Sequence, residues 1–199
     1  MSPSSISISK LRADVDGRVI APEDDEYDQA RALFYGGMDR HPAAIVRVKD
    51  DMDVVRVVAL ARESGLELAV RSGGHSIPGH SVSEGGIVID LADMRALEID
   101  VEARTAWAQT GLTALGFTTA AAEHGLGVGF GDTGSVGIGG ITLGGGVGYL
   151  VRKYGLTIDD LLAADIVTAD GDVRRVDDAM ADDPERAFRA LLLVIALHD

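Results

Sequence analysis

The chain has 199 residues, 46% of them hydrophobic and 25% charged, a balance that predicts a folded globular domain rather than disorder. Its formal net charge of −14 argues against a duplex-binding surface, because nucleic-acid affinity rests largely on Lys and Arg neutralising phosphates. No cysteine is present, which excludes disulfides, thiolate metal sites, iron–sulfur clusters and cysteine nucleophiles. The N-terminal "MSPSSISISKLRADVDG" has no basic stretch leading into an apolar one, so no secretory signal is read and a cytoplasmic location is expected.

In chain order, residues 1–41 read as an N-terminal helical arm with one helix over 24–35, its acidic run 21–28 forming a solvated face and helix start. A strand is predicted over 42–48 and a helix over 51–65, capped by Asp51, with Val54, Val55, Val58 and Leu60 apolar and Gly65 closing it. A second strand follows over 66–72. This strand–helix–strand unit predicts a parallel pair with a right-handed crossover. The apolar run 86–91 is a third strand, and 96–111 alternates about a short turn as an antiparallel hairpin, with Trp107 in the core. Residues 112–125 are helical and stop at Gly125. Residues 161–176 form a hairpin through an Asp-Gly turn, and 185–197 an apolar helix. His80 and His124 read as surface or cap residues, and Asp132 is left open between a turn and a site role. The sum is an α+β fold of two small layered units.

Two stretches stand apart. "RSGGHS" at 71–76 puts two glycines and a histidine on the end of a strand, where the missing Cβ atoms let main-chain N–H groups converge on an anion. The tract 125–148 holds 12 of the 25 glycines, and no Lys or Arg occurs from Gly111 to Val151. Any phosphate held there needs backbone dipoles rather than side-chain cations. Residues 134–151 run uncharged for 18 residues, but eight are glycine, which argues for backbone exposure and against a membrane span. The P-loop pattern fails because Gly145 stands where its lysine belongs, and the dinucleotide pattern fails at Thr142. No GxSxG is present. His75 and His80 are separated by Pro78 and Gly79, which rules out a shared helical face, so no metal site is read.

"RSGGHS", "GIVIDL" and "GSVGIGGITLGGGVGYLVRKYGLTIDDLLAADIVTADGDV", in that order, resemble the FAD-binding domain of PCMH-type FAD-linked oxidoreductases, specifically the berberine-bridge-enzyme-like oxidases, from about Pro42 to Val176. The resemblance implies two α+β subdomains with FAD between them, a domain over 42–178, and a role for small neighbours in bringing a histidine to the flavin. Arg71, Ser72, Gly73, Gly74, His75 and Ser76 match the loop that wraps the FAD pyrophosphate, and His75 matches the histidine bonded to the flavin 8α-methyl. Gly131, Asp132, Thr133, Gly134, Ser135, Val136, Gly137, Ile138, Gly139 and Gly140, with Gly144 and Gly145, match the tract lining the isoalloxazine and diphosphate. Ile166 and Val167 match the strand beside the adenine.

The resemblance implies hydride transfer from an alcohol, sugar or amine-type small molecule to covalently held FAD. Thr133 stands where many relatives carry a second attachment through cysteine, so attachment through His75 alone is expected. Residues 179–199 depart from the family pattern, which continues with a glycine run and a substrate domain carrying the catalytic base. That departure predicts an incomplete enzyme. Two other readings stay open: an inactive remnant that binds FAD at most, and a glycine-rich interaction domain with no cofactor.

Overall fold

Apolar patterning sorts the first four strands. A computed structural model describes residues 6–177, 190–196 and 198. Strands β1 (Arg18–Ile20), β2 (Ala44–Arg47), β3 (Leu68–Arg71) and β4 (Ile87–Asp90) form one sheet in the order β1-β2-β4-β3. β4 is buried along its whole length and takes a central place, whereas β3 alternates buried and half-buried positions at the edge. The predicted parallel strands are present with β4 inserted: β2 and β3 each pair parallel to β4 rather than to one another. β1 pairs antiparallel with β2, so the segment read as a helical arm also supplies an edge strand. Its helices are α1 (Ile8–Asp14) and α2 (Tyr27–Arg31), the latter shorter than the predicted 24–35 because the chain turns extended at Ala32.

Helix α3 (Asp51–Ser64) is capped one residue earlier than expected, by Asp50 rather than Asp51. The Asp50 carboxylate accepts the Asp53 N–H at 3.0 Å, and Gly65 ends the helix with φ of 65°. Val54, Val57 and Ala61 turn inward onto Val46, Val48, Ile87 and Ile89, while Val55, Val58 and Leu60 are only half-buried. The opposite face of the sheet packs Ile45, Ala69 and Val88 against Tyr27, Ala30 and Val82.

Asp53 lies on the buried face of α3, fully shielded from solvent. Burial pushes its carboxyl up, but the N–H groups of Asp16, Lys49 and Gly17 and the Arg56 guanidinium outweigh it and hold the group below the ordinary aspartate range. Asp53→Asn is expected to lower stability by about 3 kcal/mol at neutral pH in urea unfolding, because an amide presents donors to donors. With a depressed folded value, the aspartate's contribution is complete above the unfolded carboxyl's range and fades as pH falls through the folded one. The difference between wild type and variant should therefore shrink in acid; a constant difference down to strongly acidic pH would contradict this role.

The second sheet contains β5 (Leu97–Asp100), β6 (Thr105–Gln109), β7 (Leu161–Val167), β8 (Val173–Asp177) and β9 (Ala190–Ala196) in the order β5-β6-β9-β7-β8, every pair antiparallel. Both predicted hairpins are present, and Gly171 takes φ of 90° in the β7–β8 turn. The helix predicted over 185–197 is corrected: Ala190–Ala196 is a strand, and 185–189 and 197 lie outside the described residues. Seven consecutive apolar residues have no period to distinguish the two, and the open edges of β6 and β7 decide for strand.

Trp107 is also corrected. Its strand buries Ala106 and Ala108, so Trp107 faces the other side, half-exposed, with the Arg175 guanidinium 4.2 Å from its ring centre. The core instead gathers Ala106, Ala108, Ala164 and Ile166 under α4 (Ala114–Ala122) and α5 (Ile138–Leu143), with Phe117 edge-on to Phe130 at 4.9 Å. The glycine tract therefore carries one six-residue helix, followed by α6 (Val151–Tyr154) and a 3₁₀ turn, Thr157–Asp160. Among the described residues no helix is long and apolar enough to cross a membrane.

Candidate functional site

β3 delivers the chain to the glycine–histidine loop, and a buried ion pair fixes the point of departure. Arg71 donates from Nη2 to Asp90 Oδ2 at 2.8 Å, and Arg47 reaches the same oxygen at 3.2 Å. Arg71 and Asp90 are both buried, so the loop stands on the C-terminal ends of β3 and β4. Beyond it, Ser72 donates to the Thr110 carbonyl. Arg40 holds the far end of the loop through the Gly79 and Val82 carbonyls, each at 2.9 Å.

The two glycine-bearing stretches meet backbone to backbone. A Cβ on Gly73 would lie 2.2 Å from the Gly137 nitrogen, and one on Gly137 would lie 2.0 Å from Ser72 Oγ. Only glycine at both positions permits this approach. The contact makes one side of a cleft of about 390 Å³, bordered by Ser72, Gly73, Gly74, His75 and Ser76 from the first loop and by Val136, Gly137, Gly139 and Gly140 from the second.

His75 is the chemically distinctive group in that cleft. Its Nε2 lies 3.1 Å from Ser135 Oγ, and its ring is stacked on Phe34. Burial lowers the imidazole pKa from its ordinary value, with a backbone hydrogen bond to Ser135 pulling weakly the other way. The neutral form thus predominates near neutral pH, leaving the ring a competent nucleophile.

Other residues singled out in the sequence are placed elsewhere. Arg71 sits beneath the loop on Asp90, and Ile138 is sealed in the second core. Gly131, Asp132, Thr133 and Gly134 border a separate, shallower cleft of about 270 Å³ with Leu115 and Tyr149. Asp132 accepts the Thr133 hydroxyl there at 3.0 Å. Gly144 and Gly145 end α5. Ile166 is in the second core, whereas Val167 borders a larger apolar cavity of about 520 Å³ under α3. Val70 borders both that cavity and the His75 cleft, so the two lie on either side of one side chain. Among the described residues the larger cavity offers only Arg62 and Thr168 as polar side chains, which leaves the reactive chemistry with His75.

The structure adds Ser81, His80, Thr110, Ile141 and Leu143 to the cleft wall. His80 is exposed, as expected, yet borders the cleft because Pro78-Gly79 folds the loop back: Gly79 N–H donates to Ser76 O at 3.0 Å and His80 N–H to Ser76 Oγ at 3.1 Å. That Pro-Gly pair is a legible turn signal. Thr110 comes from the end of β6, and nothing local in its sequence marks it.

The FAD binding domain family matches residues 42–177. The chain is 39% identical over 159 residues to (R)-6-hydroxynicotine oxidase of Paenarthrobacter nicotinovorans, covering 80% of this chain and 35% of that protein. Identity is also 39%, over 168 residues, to the uncharacterised FAD-linked oxidoreductase YvdP of Bacillus subtilis, covering 84% and 38%. Among solved structures, 6-hydroxy-D-nicotine oxidase of Arthrobacter nicotinovorans superposes with a TM-score of 0.87 at 34% identity, over 93% of this chain and 43% of that one. Physcomitrella patens BBE-like 1 superposes at 0.88 with 25% identity, over 98% and 45%. The chain thus spans between a third and a half of the relatives it matches. With a PCMH-type fold, a glycine-lined cleft and a family match running through both, this chain belongs to the FAD-binding domain family of the FAD-linked oxidoreductases, alongside berberine-bridge-enzyme-like relatives.

Proposed function

We propose that this chain is the cofactor-holding part of an oxidoreductase that carries FAD covalently on His75 and oxidises an alcohol, sugar or amine-type small molecule. The observation that carries the reading is His75 itself, an imidazole kept neutral at the rim of a cleft built from two glycine loops. The cleft fits the group in two further respects. Gly73 and Gly137 leave main chain, not side chains, along its wall. Ser81 Oγ, buried on the same wall, has no hydrogen-bond partner among the described residues and is free to meet a polar ligand atom.

Residues Ser72 to Ser76 and Val136 to Gly140 would hold the flavin and diphosphate, and the cavity bordered by Val70 and Val167 would take the adenine. Bound FAD supplies a ring system that accepts a hydride equivalent from the substrate carbon. The chain's own residues orient it: Ser135 meets the edge of the His75 ring, and the Asp90–Arg71 pair anchors the loop beneath it. A relative named for the oxidation of 6-hydroxynicotine supports a small organic substrate.

The test is a visible absorption spectrum of the purified protein before and after acid precipitation. A yellow protein whose colour stays in the pellet is expected. Colour passing wholly to the supernatant would remove the covalent link, and a folded, colourless protein that takes up no added FAD would remove the entire reading.

A further inference from the structure

We propose that Phe34 is the positioning residue for His75: its ring, stacked on the imidazole, fixes the plane in which that side chain meets the flavin. The inference rests on the attachment reading above and adds a residue from outside both glycine stretches. The Phe34 and His75 ring centres are 3.9 Å apart, with planes 21° from parallel. Tyr35 closes the corner, edge-on to Phe34 at 5.1 Å and to His75 at 6.1 Å. Main chain sets this register, since the Phe34 N–H donates to the carbonyl of Gly74, the residue before the histidine, at 3.3 Å.

Exposure separates this role from core filling. Phe34 and Tyr35 are 57% and 53% exposed, whereas Tyr27 and Ala30, just upstream, are buried in the core. Phe34 therefore contributes little to holding the sheet, and its ring contacts are with the histidine and with the similarly exposed Tyr35. The need for it follows from side-chain freedom. The terminal torsion of a histidine is broad, and the hydrogen bond between Nε2 and Ser135 Oγ pins one edge while leaving the ring free to swing about that contact. A stacked partner removes the swing, and such pairs favour the aligned state by about two- to tenfold.

Attachment forms one N–C bond between the imidazole and the 8α-carbon. One hydrogen leaves that carbon and one leaves the imidazole nitrogen, and the accompanying two electrons pass through the ring system to dioxygen, giving hydrogen peroxide. Alignment of the nitrogen with the carbon is the part the protein controls.

Two titratable side chains share the surroundings of the ring, Tyr35 from the Phe34 segment and His80 from its own loop, while Asp132, three residues before Ser135, borders the separate cleft. No charged side chain among the described residues contributes to the lowered His75 pKa, which comes from burial. Uncovering one face of the ring should thus raise that pKa toward its ordinary value.

The experiment uses the full 199-residue chain, made flavin-free in riboflavin-limited cells, then given FAD and dioxygen. Acid-stable flavin is followed against time and pH in wild type, Phe34→Ala, Phe34→Leu and Phe34→Trp, while the His75 imidazole is titrated by NMR in the flavin-free proteins. Phe34→Ala and Phe34→Leu are expected to attach flavin about fivefold more slowly at saturating FAD, with unchanged melting temperature. Their acidic limb should move to higher pH together with the His75 titration, and Phe34→Trp should restore the wild-type rate. If wild type attaches flavin and Phe34→Ala matches its rate and pH profile, the role of Phe34 is overturned and attachment stands. A wild type that binds FAD yet attaches none overturns attachment, and this inference with it. An unchanged His75 titration in Phe34→Ala overturns the stacking with no flavin involved.

Discussion

Replacing His75 with alanine is expected to move all of the flavin from the acid-precipitated pellet to the supernatant. The loss should be complete, because a covalent bond has no partial substitute once its nitrogen is gone. His80 borders the same cleft but is exposed and lacks the Ser135 and Phe34 contacts that orient His75. His80→Ala should therefore leave the pellet yellow, as should His124→Ala far along the chain at the end of the region after α4. Equal loss in the His75 and His80 variants would shift the attachment point and undo the assignment. Noncovalent FAD affinity in His75→Ala is a second readout: retention of binding with loss of the bond separates chemistry from the shape of the cleft.

The second large effect is expected at the contact between the loops. In Gly73→Ala the new methyl would meet the Gly137 nitrogen at 2.2 Å, and in Gly137→Ala it would meet Ser72 Oγ at 2.0 Å and the Gly73 nitrogen at 2.3 Å. Backbone cannot rotate aside as a flexible side chain can, so the loops must separate. Each variant should lose about 2–3 kcal/mol of stability in denaturant unfolding. FAD binding should fall at least about tenfold, since 1.4 kcal/mol of lost alignment is enough for that. Gly140 supplies the contrast. It borders the same cleft within α5, but a Cβ there meets nothing within 4 Å, and Gly140→Ala should hold or raise stability by about 0.5–1 kcal/mol through helix propensity. Wild-type stability in Gly73→Ala and Gly137→Ala would show that the loops do not meet as described.

Legibility in the sequence followed locality. The helix ending at Gly65, the hairpins and the strand at 87–90 each carry their signal within a few residues, as a glycine stop, an Asp-Gly turn or an unbroken β-branched run. The loop around His75 was legible for the same reason, in glycines directly after a strand. What lay hidden was pairing over distance. Nothing within "ALLLVIA" says that it fills a gap between strands made much earlier, and nothing near Trp107 says that Arg175 will cover it. Phe34 was hidden in the same way. It lies 41 positions before the histidine it stacks on (75 − 34), and only the turn after α2 brings the two together.

The central place of β9 sets a timetable for the nascent chain. All four strands of the first sheet are made by Asp90, so they can pair while the rest is still being translated, with Leu91, Met94 and Val167 completing the core later. The second waits: β6 and β7 keep raw edges until residues 190–196 leave the ribosome and slot between them. Purified chains truncated after residue 180 should accordingly resist protease in their first half and be cut in their second. Protection of both halves at that length would mean that the late strand is dispensable for closing the sheet.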